Sequence, residues 1–122
     1  MPKKILVVDD ELEICELMSE YLTDLGYEVV TTATGKAALK EASKSQFDLI
    51  FLDIYLPDED GVVIYEKIRQ MPIHAKTPVI FLTALASGTR FPLLGSKHEQ
   101  YSIISKPVNL QKIEEEVKGL IG

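Results

Sequence analysis

The segment Ile5-Leu6-Val7-Val8-Asp9-Asp10 places two acidic residues directly after four strongly apolar ones. Similar apolar runs recur at 49–52 and 79–82. Short continuous runs of this kind, bounded by polar residues, are typical of strands that are buried on both faces of a sheet. The sequence therefore predicts three central strands, the first of which ends in a pair of carboxylates.

Two weaker runs, at 27–32 and 101–105, mix polar with apolar residues, as edge strands do. Helical patterns alternate with the strands, which indicates an α/β fold with a parallel sheet and helices on both faces. Right-handed crossovers, with the three apolar strands in the centre, then predict a five-stranded sheet of order 2-1-3-4-5.

Helices are predicted wherever apolar residues recur at helical spacing. Gly26 and Pro72 are expected to end the first and the third of them. Thr34 and Asn109 are expected to cap the second and the last. The predicted helices cover 11–25, 35–45, 62–71 and 109–121.

The interval 86–100 departs from this regularity. Gly88 and Gly95 would each cost about 1 kcal/mol relative to alanine inside a helix, and Pro92 about 3 kcal/mol. A short or irregular fourth helix with high mobility is therefore expected there. Its anchors against the sheet would be Phe91, Leu93 and Leu94, because leaving all three exposed would create an apolar patch.

Composition limits the classes of function. The chain of 122 residues is expected to form one domain over 1–122. Its formal charge of −6 argues against nucleic-acid binding through its own charge. No apolar run approaches the roughly 20 residues of a membrane span, and the single cysteine, Cys15, excludes an internal disulfide. A cytoplasmic domain that binds neither nucleic acid nor membrane is expected.

Polar residues follow four of the predicted strands. Asp9 and Asp10 follow the first strand, Asp53 the third, Thr83 the fourth and Lys106 the fifth. The winding of the sheet reverses between strands 1 and 3, and ligands of open α/β sheets bind at such a point beyond the carboxyl ends of the strands. These five side chains are therefore predicted to share one cleft.

Three carboxylates in one cleft repel each other, and the repulsion is expected to raise the pKa of at least one of them. Mg²⁺ would offset this cost, because it prefers carboxylates together with water and phosphate oxygens. A metal, a lysine and a hydroxyl around one carboxylate suit phosphoryl transfer to that carboxylate. Asp53 is the predicted nucleophile, since the pair Asp9-Asp10 is better placed to hold the metal.

The segments that carry these residues resemble the receiver domain of two-component response regulators. They are Leu6-Val7-Val8-Asp9-Asp10-Glu11, the stretch 53–61, Thr83-Ala84 and Lys106-Pro107. The resemblance spans essentially the whole chain and implies a flavodoxin-like fold. It also implies a phospho-accepting signalling switch of a phosphorelay, which is not a conventional enzyme.

The resemblance implies partners and roles for the residues of the cleft. Asp53 would take a phosphoryl group from a histidine kinase or a histidine phosphotransfer protein, and an output domain or protein would respond. Thr83 and Lys106 would contact the phosphoryl oxygens, and the Lys106-Pro107 bond would be cis.

The same resemblance implies a set of ligands for Mg²⁺. Asp10, Asp53 and the backbone carbonyl of Tyr55 would bind the ion directly, and Asp9 would help through water. A phosphatase or phosphotransferase of the aspartyl-phosphate type would instead need a second acid at the position of Tyr55.

Two departures from the family support an alternative function. Ile103 stands where receiver domains usually carry an aromatic residue, and the nearest aromatic residue is Tyr101. The interval 86–100 also lacks a regular helical pattern. The alternative is a receiver-fold protein-interaction module in which phospho-switching is altered or lost.

Two residues outside the cleft are given structural interpretations. His74 lies in a predicted loop, without a metal-ligand partner at useful spacing, and is expected to be solvated. Gly61 is expected to adopt a positive φ before the third helix.

Overall fold

The computed structural model describes residues 2–84 and 101–122. Five parallel strands form one sheet of order β2-β1-β3-β4-β5, which confirms the predicted fold class. The strands are β1 (Lys4–Val8), β2 (Glu28–Thr32), β3 (Leu49–Asp53), β4 (Val79–Thr83) and β5 (Tyr101–Ser105).

The described residues contain four α-helices and one 3₁₀ turn. Gly26 follows the first helix with a φ of 101°, and the Thr34 hydroxyl accepts a hydrogen bond from the Ala37 amide at the start of the second. The expectations for 86–100 lie outside the described residues. The helices are α1 (Leu12–Asp24), α2 (Gly35–Lys44), α3 (Gly61–Arg69) and α4 (Leu110–Ile121), and the 3₁₀ turn is Pro72–His74.

The sheet separates two apolar layers. Leu6 and Val8 of β1 face the layer that α2 and α3 cover, and Ile5 and Val7 face the layer that α1 and α4 cover. Every residue of β3 and β4 is buried. The continuous apolar runs in the sequence therefore reflect central strands with helices on both faces.

The expectation that His74 is solvated is wrong, because its ring is fully buried. Nδ1 lies 3.0 Å from the Thr77 hydroxyl, and Nε2 lies 3.0 and 3.1 Å from the carbonyl oxygens of Ala42 and Ser45. The ring also stacks on Phe47. The carbonyls in the last turn of a helix lack partners within the helix, and the 3₁₀ turn brings His74 to those at the end of α2.

The described part of the chain, residues 2–84 and 101–122, holds no helix with the length and apolar character needed to cross a membrane.

Candidate functional site

Asp9 follows the last residue of β1 and is completely buried. Its amide donates to the Thr32 carbonyl (3.0 Å), and its Oδ1 accepts from the Glu11 amide (2.9 Å). Its Oδ2 accepts no well-directed hydrogen bond from the residues that the structure describes, although Lys106 Nζ lies 3.0 Å away as an ion-pair partner. A buried carboxylate oxygen in this condition has free capacity for a ligand.

Asp53 is the last residue of β3, and 4% of its surface is exposed. Its Oδ1 accepts a hydrogen bond from the Tyr55 amide at 3.1 Å. Its Oδ2 lies 3.3 Å from Lys106 Nζ. The Asp53 carboxylate is therefore oriented from two sides, one of them by a cation.

Gly61 lies beneath Asp53, and the expected positive φ is not observed there. A Cβ at this position would lie 2.2 Å from the Asp53 carbonyl oxygen and 2.7 Å from Ile54 Cα. The Gly61 amide donates to the Ile54 carbonyl at 2.6 Å. The position requires glycine for this close backbone approach and not for an unusual dihedral angle.

One carboxylate oxygen from each of Asp9, Asp10 and Asp53 lies within 4.8 Å of the other two. Asp10 is exposed, whereas the other two are buried, so the cluster opens to solvent on one side. This donor set fits Mg²⁺, a hard cation that takes oxygen ligands and keeps several waters. The structure thus brings together the three acids that the sequence predicted to meet.

The pKa of Asp53 is raised above its usual value, which confirms that one carboxylate of the cluster is disfavoured as an anion. Burial is the largest cause; the hydrogen bond from the Tyr55 amide lowers the pKa, and the charge of Asp9 raises it further. Repulsion from Asp9 therefore contributes less to the raised pKa of Asp53 than desolvation does, because β3 ends inside the protein.

Lys106 directly follows β5, and its peptide bond to Pro107 is cis. Its side chain is 11% exposed and reaches Asp9, Glu11 and Asp53. Burial lowers the pKa of Lys106, but the contacts with Glu11 and Asp9 and the charge of Asp53 outweigh it and hold the pKa above its usual range. The lysine is therefore a fixed positive charge in the cleft.

Thr83 ends β4 and is buried. It is in register with Ser105 of β5, and its carbonyl accepts a hydrogen bond from the Lys106 amide at 2.7 Å. The carboxyl ends of β1, β3, β4 and β5 thus supply the side chains at one edge of the sheet.

The loop that carries Tyr55 is tied to a neighbouring helix. Both oxygens of Asp58 accept hydrogen bonds at the start of α2, from the Gly35 amide (2.9 Å) and the Lys36 amide (3.0 Å). These two bonds lower the pKa of Asp58. The Tyr55 side chain is exposed, and its backbone amide makes the contact with Asp53.

Glu11 joins the site without having been predicted there. The sequence indicates it as a first-turn residue of α1, but it occupies the N-cap position, where its side chain accepts no capping hydrogen bond from the described part of the helix. Its carboxylate instead pairs with Lys106 Nζ. The available signal was its place immediately after the acidic pair, at the mouth of the cleft.

Ile103 and Tyr101 lie on the same face of β5, as their spacing predicts. Ile103 is largely exposed, whereas the Tyr101 ring packs edge-on against Tyr65 and Phe81, with centroids 6.0 and 5.7 Å away. The aromatic residue of β5 is thus part of the apolar layer under α3.

Comparisons with known proteins agree with this geometry. The family model described as "Response regulator receiver domain" matches residues 5–118. The chain is 36% identical over 122 residues to the alkaline phosphatase synthesis transcriptional regulatory protein PhoP of Bacillus subtilis, covering 99% of this chain and 49% of that protein. It is 35% identical over 121 residues to the probable transcriptional regulator ycf29 of Porphyra purpurea, covering 99% and 57%. The chain therefore spans about half the length of these curated relatives.

Two solved structures are similar over essentially the whole chain. The chemotaxis response regulator CheY4 of Vibrio cholerae has a TM-score of 0.90 at 30% identity, covering 99% of this chain and 100% of that one. The receiver domain of sensor histidine kinase PA1611 from Pseudomonas aeruginosa has a TM-score of 0.88 at 27% identity, covering 100% and 99%. A magnesium ion is coordinated in the active-site cleft of that second structure.

Proposed function

This chain belongs to the response regulator receiver domain family and is a receiver domain of two-component systems, and on that premise we propose that Asp53 is its phosphoryl acceptor. The observation that carries this assignment is the position of Asp53, buried at the end of β3 with Lys106 Nζ 3.3 Å from Oδ2. A carboxylate held beside a fixed cation is suited to attack an anionic phosphoryl group.

We assign the Mg²⁺ site to Asp9, Asp10, Asp53 and the backbone carbonyl of Tyr55. The support is the clustering of the three acids and the free capacity of Asp9 Oδ2. When bound, the ion would offset part of the negative charge on the carboxylates and the phosphoryl oxygens. The magnesium ion in the related PA1611 receiver domain agrees with this assignment.

The transfer step is an in-line displacement at phosphorus. An Asp53 carboxylate oxygen forms a new O–P bond while the P–N bond of the phosphohistidine donor breaks. The electron pair of the broken bond stays on the imidazole nitrogen, and Asp53 becomes an acyl phosphate. Lys106 and Thr83 stabilise the transferred group, the first by charge and the second by its hydroxyl.

The phosphoryl donor in this proposal is a histidine kinase or a histidine phosphotransfer protein, and the cytoplasm is the compartment where the two would meet. An output domain or protein responds to the phosphorylated form. Residues 1–122 act as one receiver domain, which takes up a phosphoryl group and slowly hydrolyses it as a switch and not as a conventional enzyme. The convergence of the acids, Thr83 and Lys106 favours this function over a module that only binds proteins.

Incubation with acetyl phosphate and Mg²⁺, followed by intact-mass analysis, tests the proposal. The parent is expected to gain one phosphoryl group, and Asp53→Asn none. Asp24→Asn is the matched control, because Asp24 is an exposed residue at the end of α1, and it should behave like the parent. Labelling that survives in Asp53→Asn, or that a metal chelator leaves unchanged in the parent, would overturn the assignment.

A further inference from the structure

Lys106 has one more acidic neighbour than the proposed chemistry uses. Its Nζ lies 3.0 Å from Asp9 Oδ2, 3.3 Å from Asp53 Oδ2 and 2.5 Å from Glu11 Oε2. Asp9 and Asp53 belong to the proposed metal site, whereas Glu11 does not. The shortest of the three contacts is therefore made by a residue without an assigned role.

An ammonium group has three N–H donors, and those of Lys106 face three carboxylates: Glu11 and Asp53 accept hydrogen bonds, and Asp9 Oδ2 lies 3.0 Å away as an ion-pair partner. A phosphoryl oxygen on Asp53 must approach the same nitrogen, so it competes with these carboxylates for the lysine. The Glu11 side chain is 56% exposed, whereas Asp9 is completely buried and Asp53 nearly so. Releasing Glu11 costs least, because its carboxylate regains water while a buried one cannot.

Building on the proposed phosphorylation of Asp53, we propose that Glu11 is a positioning residue that holds Lys106 before transfer and yields it to the phosphoryl group. In the unphosphorylated protein the Glu11 carboxylate occupies the lysine donor that faces the mouth of the cleft. On transfer, the phosphoryl oxygens replace it, and like charge then keeps Glu11 away from the occupied site.

The exchange has two consequences for the rate of phosphorylation. Glu11 must be displaced before Lys106 can serve the incoming group, and its negative charge repels an anionic donor at the mouth of the cleft. Both effects slow transfer, and replacing the carboxylate by a neutral amide removes both. A gain of about 2- to 5-fold in the initial rate at low salt is expected, the range for one partly exposed charge contact. The gain should shrink as salt screens the charge.

The test compares Glu11→Gln with Glu13→Gln in the whole chain. Glu13 is exposed, lies in the first turn of α1 and carries the same charge, so its replacement changes the net charge equally without touching Lys106. With acetyl phosphate and Mg²⁺, Glu11→Gln should be phosphorylated faster than both the parent and Glu13→Gln. Equal rates for the two variants would overturn the role of Glu11.

Two further measurements separate this role from others. The ¹⁵N–¹H signal of the Lys106 ammonium group should broaden through faster proton exchange in Glu11→Gln only. If Glu11 acted only by repelling the phosphoryl donor, this signal would not change, and that result would contradict the proposal. The Mg²⁺ affinity should stay within about 2-fold of the parent, and a loss of about 10-fold would make Glu11 a metal ligand instead. Absence of labelling in the parent would refute the phosphorylation of Asp53 itself. If the parent is labelled but Glu11→Gln and Glu13→Gln react at the same rate, only the role of Glu11 is refuted.

Discussion

The buried His74 ring and the buried carboxylates of the acidic cleft differ in how far their hydrogen-bonding capacity is met. The His74 ring has a partner at each nitrogen, from Thr77 on one side and from two carbonyls on the other. The acidic cleft has three carboxylates close together, and within 2–84 and 101–122 no group donates a hydrogen bond to Asp9 Oδ2. A buried polar group stabilises a fold only when its hydrogen-bonding capacity is met. His74 therefore serves stability, whereas the cleft costs stability and keeps capacity for a ligand.

Removing His74 should have the largest effect on stability. His74→Ala would remove the ring partner of the Thr77 hydroxyl, of the buried Ala42 carbonyl and of the partly buried Ser45 carbonyl. It would also open a cavity beside Phe47, at a total cost of about 3 kcal/mol in the free energy of unfolding. Ile73→Ala is the control, because its side chain is 47% exposed, and it should cost less than about 1 kcal/mol. Urea unfolding measures both, and equal losses would show that the His74 hydrogen bonds contribute little.

The backbone beneath the cleft should be almost as sensitive. Gly61→Ala would force a Cβ against the Asp53 carbonyl, where the available distance is 2.2 Å, and should cost about 2 kcal/mol. Gly119→Ala is the matched control inside α4, because an added Cβ there meets no atom of the described part of the chain within 4 Å. That control should gain up to about 1 kcal/mol from helix propensity. A neutral Gly61→Ala in urea unfolding would contradict the close approach.

Replacing a carboxylate of the cleft should raise the free energy of unfolding, whereas replacing His74 should lower it. Asp53→Asn removes a buried charge whose anionic form is disfavoured, and it should stabilise the metal-free protein by about 1–2 kcal/mol. Mg²⁺ should raise the melting temperature of the parent more than that of the variant. Thermal melts with and without Mg²⁺ check both parts, and a destabilised metal-free variant would refute the cost assigned to the cleft.

The dependence on pH follows from the raised pKa of Asp53. The folded protein holds this proton more tightly than the unfolded chain does, so the stabilisation is fully present below the unfolded pKa of about 4. It is lost as pH rises through the folded pKa. The stability advantage of Asp53→Asn over the metal-free parent should therefore grow with pH across this window. Urea unfolding at a series of pH values measures it, and a constant difference would contradict the shift.

Much of the architecture follows from local sequence. The apolar runs of β1, β3 and β4 identify the central strands, and topology then brings Asp9, Asp10 and Asp53 together. This succeeds because the carboxyl ends of parallel strands share one edge of the sheet. The acids could thus be grouped from strand order alone.

Contacts that depend on tertiary geometry could not be predicted in this way. His74 is buried because the 3₁₀ turn meets the end of α2, and no neighbouring residue signals that meeting. Gly61 was predicted from its dihedral freedom, but the reason for it is the Asp53 carbonyl beneath it. The reach of Glu11 to Lys106 spans 95 positions of sequence. Each of these three contacts depends on the position of a chain segment that is distant in sequence.

Chemical mapping of the acyl phosphate identifies the phosphorylated residue of the cleft directly. Borohydride reduces an aspartyl phosphate to homoserine, and the stretch 45–66, free of Lys and Arg, can be sequenced by mass spectrometry after tryptic digestion. It also contains Asp48, Asp58 and Asp60, which serve as internal controls. Homoserine is expected at position 53 alone, and it should form only after incubation with acetyl phosphate and Mg²⁺. Homoserine at any other aspartate, with position 53 unchanged, would contradict it.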